Sequence, residues 1–152
     1  MIFAFSQICE PNFVALFSRE KIFDFEIFDK SAPRDLLLRI ANFWQKNGFA
    51  PRKIGKKIIL KNQKNGTEIS QILFSAGKGN FTPARVSALL ANLFSQNCAV
   101  KIYDFENDIF QNLQKKFPEK NAAEIAQKIF LENKFHETKI AKPRFSGELR
   151  LG

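Results

Sequence analysis

The sequence predicts a single α+β domain, a mainly antiparallel sheet packed with about four helices. Three observations lead there. Strand-like and helix-like periods are interleaved along the chain without strict alternation. The 152 residues, 45% of them hydrophobic, suffice for one core without disulfides or metal. Helix starts are marked by cap-then-proline signals at Ser31-Ala32-Pro33 and Thr82-Pro83, and by a capping-box pattern from Asn121 to Glu124. The domain is expected to cover residues 1–135, with residues 136–152 as a basic, extended C-terminal tail.

Residues 2–5 are apolar enough to pair in a sheet and lead into a turn around Pro11. In residues 21–28, Phe23, Phe25 and Ile27 alternate with Asp24 and Glu26, the pattern of a strand with one buried face. The first helix carries a stripe of Leu36, Ile40 and Phe43 with Leu37, Ala41 and Trp44 beside it, and stops at Gly48. Its Arg39, Asn42 and Lys46 fall on the opposite side, expected to be solvated or binding. Residues 49–74 read as β. Ile58-Ile59-Leu60 suits a strand covered on both faces, Asn62 to Gly66 is a polar loop, and residues 68–74 are expected to return as the second arm of a hairpin.

The helix after Pro83 is expected to bury Val86, Leu89, Leu90, Leu93 and Phe94, while Ala84, Ala88, Ala91 and Ser95 let another element approach closely. A strand over 99–105 follows. Then come a helix from Asn107, ended by Pro118, and a last helix built on Ile125, Ile129 and Phe130. Most of the 18 Phe, together with Trp44 and Tyr103, are expected in the core. So many Phe, alongside frequent Lys, Asn and Ile, suit an AT-rich coding sequence of a bacterium, phage or mobile element.

Charge is the most informative feature for function. Residues 33–101 hold twelve Lys or Arg against two acids, whereas residues 1–32 hold three against five and residues 102–152 nine against eight. A regional excess of that size costs self-repulsion and points to a polyanionic or acidic partner on one surface. Its densest part is residues 52–64, where Arg52, Lys53, Lys56, Lys57, Lys61 and Lys64 are interleaved with strand-forming apolar residues. Such cations neutralise phosphates without reading sequence, and Asn62, Gln63 and Asn65 could add hydrogen bonds. Lys78 and Arg85 are expected to help.

Catalytic and cofactor chemistry find little support. Gly77-Lys78-Gly79 lacks the upstream glycine of a phosphate loop. His136, the one histidine, sits in a charged helix end, and helix capping accounts for Asp108 in the trio Asp104, Glu106 and Asp108. Cys9 and Cys98 form no zinc pattern and suit a reducing compartment. No apolar run approaches a membrane span, and the start lacks the basic region of a secretory signal. The expectation is therefore a small, non-enzymatic cytoplasmic protein without cofactor or metal. Its basic face would engage nucleic acid or a nucleoprotein. The alternative is a protein-binding inhibitor or adaptor whose basic face docks on an acidic protein surface or fills the nucleic-acid groove of an enzyme. Exposed aliphatic or aromatic anchors beside the cations would mark a protein interface; a polar, wet surround would mark nucleic acid.

Overall fold

Uninterrupted apolar runs make the centre of this fold. The structure, a computed structural model, describes residues 1–7, 11–29, 35–75 and 81–138, with the backbone alone for 81–83. Strands β1 (Ile2–Ser6), β2 (Asn12–Phe17), β7 (Gln71–Ser75) and β8 (Lys101–Phe105) are buried almost throughout. Strands so composed need cover on both faces. They lie in a six-stranded sheet of order β3-β2-β1-β7-β8-β9. β1, β7 and β8 run parallel at its centre; on one side β2 pairs antiparallel with β1 and with the edge strand β3 (Ile22–Phe28), and on the other β9 (His136–Thr138) pairs antiparallel with β8. The expected α+β architecture holds, with a mostly but not wholly antiparallel sheet and four helices.

Each face of the sheet has its own hydrophobic layer. Phe3, Phe5, Val14, Leu16, Ile72 and Phe74 meet α1 (Asp35–Lys46) and α2 (Phe81–Asn97). Ala4, Phe13, Phe17, Leu73 and Phe105 meet α3 (Asn107–Lys116) and α4 (Ala122–Leu131). The capping box at α4 forms as expected. Asn121 Oδ1 accepts from the Glu124 amide at 2.8 Å, and Glu124 Oε1 accepts from the Asn121 amide at 3.1 Å.

Three expectations are corrected. The sequence predicts no strand between the turn around Pro11 and residue 21, where β2 lies, because Phe13 to Phe17 shows no alternation for a two-residue period to catch. β3 does not have one buried face: it is an edge strand, and Phe23 and Ile27 are exposed. Its acidic side is the one α1 covers, where Lys46 Nζ lies 3.2 Å from Asp24 Oδ2 and 3.3 Å from Glu26 Oε1. Finally, residues 68–74 do not return as one hairpin arm. β6 (Glu68–Ile69) closes a three-stranded sheet with β4 (Phe49–Ile54) and β5 (Lys57–Asn62), and the chain then passes through Ser70 into β7 of the main sheet.

The first three residues of the expected tail are extended, as β9 along β8. Residues 139–152 lie outside the described residues.

Candidate functional site

The basic segment folds as the β4–β5 hairpin. Its two-residue turn, Gly55-Lys56, puts Gly55 at φ 63°, the positive first position of a type II′ turn whose twist matches the flanking strands. Arg52, Lys53 and Lys56 are exposed there, and Lys64 is exposed in the following turn. The register pairs Arg52 with Ile59 and Ala50 with Lys61, so Arg52 and Lys61 share one face of the hairpin and Lys53 belongs to the other. A cleft of about 410 Å³ opens between Arg52 and Lys61.

Lys57 is committed elsewhere. Its ammonium donates to the carbonyls of Ser95 and Gln96 at 3.2 and 3.0 Å, at the C-terminal end of α2, where unpaired carbonyls and the negative pole of the helix favour a cation. With the Ala99 amide donating to the Ile58 carbonyl at 2.9 Å, this contact sets the hairpin beside the end of α2. Asn62 and Asn65 likewise serve the loop. Asn62 Oδ1 accepts from the Lys64 and Asn65 amides, its Nδ2 donates to the Asn47 carbonyl, and Asn65 Oδ1 accepts from the Thr67 amide. Of the three polar loop side chains, Gln63 alone forms no such bond within the loop. Lys78 lies outside the described residues, and Arg85 is exposed on α2.

The helix expected to be buried through Leu89 and Leu93 is turned otherwise. Ala84, Ala88 and Ala91 face the sheet, flanked by Leu90 and Phe94, while Leu89 is 59% and Leu93 41% exposed. Small side chains let α2 approach the large residues of β7 and β8 closely, so the sheet takes the alanine stripe with Leu90 beside it, and Leu89 and Leu93 point away. The same holds on α1. Leu36, Ile40 and Phe43 are buried, but Leu37 is 49% and Leu38 63% exposed. Trp44, packed on Phe94 with centroids 5.3 Å apart, joins the two helices, and Leu37 lies two turns before it on the same flank. Ile54 at the hairpin tip is 58% exposed. Leucines on the two helices that cover one face of the sheet, and an isoleucine and cations on the hairpin that contacts the end of α2, are thus exposed. The leucine spacing was legible in the sequence; its outward orientation was not.

Elsewhere the sites are less convergent. Ser6, Gln7, Ser75 and Asp104 are buried polar residues at the carboxyl ends of β1, β7 and β8, and no sequence motif marked them as a group. Asp104 is inside the sheet opposite His136, whereas Glu106 and Asp108 are exposed at the start of α3. Among the described residues, no three His, Cys, Asp or Glu side chains come together as a metal would require. Burial pushes the Cys98 thiol up, against a smaller opposing effect of the Lys57 charge, which leaves it a poor nucleophile. Among the described residues, no helix is long and apolar enough to cross a membrane.

No protein-family model and no curated protein sequence matches this chain. Among solved structures it is similar to YeaZ from Pseudomonas aeruginosa, with a TM-score of 0.55 and 16% identity over 78% of this chain and 48% of that one. The likeness is one of fold, and the chain spans about half the length of that neighbour.

Proposed function

We propose that the chain is a protein-binding module that docks through the outer side of α1 and α2, with the β4–β5 hairpin steering the partner. The observation that carries this reading is the set of exposed leucines, Leu37, Leu38, Leu89 and Leu93, on two helices joined by Trp44 and Phe94. Apolar residues clustered on one side of a small protein favour a protein partner over a wet nucleic-acid interface. The partner is a second, different protein, presenting an apolar helical face edged with acidic side chains. Residues 33–101 carry twelve bases against two acids, so a self-complementary pairing would bring like charges together.

The test uses an amphipathic helical peptide with leucines on one face and flanking glutamates, and a counterpart with lysines in place of the glutamates. Saturable binding of the acidic peptide is expected, weakened at least about tenfold in Leu38→Ser/Leu89→Ser/Leu93→Ser and falling with salt in the wild type. Arg52→Ala/Lys53→Ala/Lys56→Ala should reduce that salt dependence. Duplex and single-stranded oligonucleotides form the second arm. Binding to them that depends on the hairpin cations and ignores the leucine variant would replace this reading with the nucleic-acid one. Self-association abolished by the leucine variant would make the partner a second copy.

A further inference from the structure

The face of the main sheet away from α1 and α2 carries a cleft of about 520 Å³ between α3 and the segment leading from α4 into β9. Its floor is apolar. Leu113 is buried there, and Ile109 and Phe135 are half-buried. Phe135 is held firmly, stacked on Phe130 with centroids 5.2 Å apart and set edge-on against Tyr103 at 4.9 Å. Asn133 ends α4 at φ 55°, and the Lys134 amide donates back to the Ile129 carbonyl at 3.0 Å. This is a helix ending that reverses the chain, and it brings Lys134 to the rim. Lys116, from the last turn of α3, and His136, from β9, line the same cleft, and all three side chains are exposed. Glu106 is the acid among the lining residues.

We infer that this cleft binds a small organic acid with an apolar body, an aryl or medium-chain alkyl carboxylate. The volume lies within the range of ligand pockets, and such pockets combine an apolar lining with few placed polar groups. The floor of Ile109, Leu113 and Phe135 removes a hydrocarbon body from water, while Lys116 and Lys134 supply charge-assisted hydrogen bonds to a carboxylate. A neutral apolar molecule would draw nothing from the two ammonium groups, of which Lys134 Nζ lies at a long 3.9 Å from Glu132 Oε2 and Lys116 Nζ over the Phe117 ring. A wholly polar anion would leave the floor wet. The site is separate from the proposed docking helices, which cover the other face, so each can fail without the other.

The full chain is titrated with octanoate and with a naphthoate, then with their methyl esters and with inorganic phosphate, following amide and methyl NMR signals. The acids are expected to give saturable shifts at Ile109, Leu113 and Phe135. Affinity should fall at least about tenfold for the methyl esters and for Lys116→Glu/Lys134→Glu, the scale of one lost charge-assisted hydrogen bond. Both lysines are exposed, so the variant should keep the wild-type spectrum away from the cleft. A second variant, Ile109→Ser, should weaken the acids while leaving any weak phosphate effect unchanged. Shifts that do not saturate, esters or phosphate binding as well as the acids, or full affinity in the charge-reversed variant would each overturn the assignment.

Discussion

At the scale of single residues, position relative to the sheet decides what a side chain contributes. Leu89 and Phe43 are both apolar residues in helices that cover the same face, yet Leu89 is 59% exposed and Phe43 1%. Phe43→Ala should cost about 3–5 kcal/mol through lost burial and a residual cavity. Leu89→Ala should stay within about 0.5 kcal/mol, as surface substitutions do. Urea denaturation of the two variants measures the contrast, and a cost for Leu89 comparable to that for Phe43 would return this leucine to the core. Asp24 gives a pH-dependent counterpart. Partial burial disfavours its charge, but hydrogen bonds from Asn47, Lys46 and the Phe25 amide, together with the Lys46 charge, outweigh that and hold its carboxyl below the ordinary 3.8. A carboxyl more acidic in the native state contributes stability that is present above its unfolded pKa and lost as pH falls through the native one. Asp24→Asn should therefore flatten the loss of stability on acidification in that window, measured as the denaturation midpoint against pH.

At the scale of elements, the hairpin shows how local backbone chemistry places charge. Gly55 adopts φ 63°, and a Cβ built on it meets nothing within 4 Å, so a substitution there is penalised by conformation and not by crowding. Gly55→Ala should cost about 1–2 kcal/mol, the penalty of an L residue in the left-handed region. Amide exchange should show that cost concentrated in β4 and β5, and protection as strong as in the wild type would mean the turn relaxes to another type. The Lys57 contact to α2 explains why this hairpin stands beside the helices. One cation of the basic run is consumed in positioning, while Arg52, Lys53 and Lys56 stay exposed on the hairpin. The same division of labour separates Asn62 and Asn65, spent on the turn, from Gln63.

At the scale of the whole molecule, the exposed leucines belong to the helices over one face of the main sheet, while a ligand-sized cleft lies on the other. The sequence by itself determined the α+β class, the four helix positions, the capping box at Asn121, the β character of residues 49–62 and the regional excess of positive charge. All of these are local: they rest on spacing, on cap and turn residues, or on counting. Only the tertiary structure decided that β1, β7 and β8 run parallel, that residues 68–75 serve two sheets, and that β3 is an edge. It also decided which of two apolar stripes on α2 faces inward. A leucine stripe and an alanine stripe on one helix are equally regular in sequence, and what selects between them is the separation of helix and sheet. Over Phe74, Ile72 and Ile102, α2 sets Ala88 and Ala91 together with Leu90 and Phe94, which leaves Leu89 and Leu93 on the outer side of the helix. The exposed leucines that carry the docking proposal are thus a consequence of packing, because no local pattern records how closely two elements will approach.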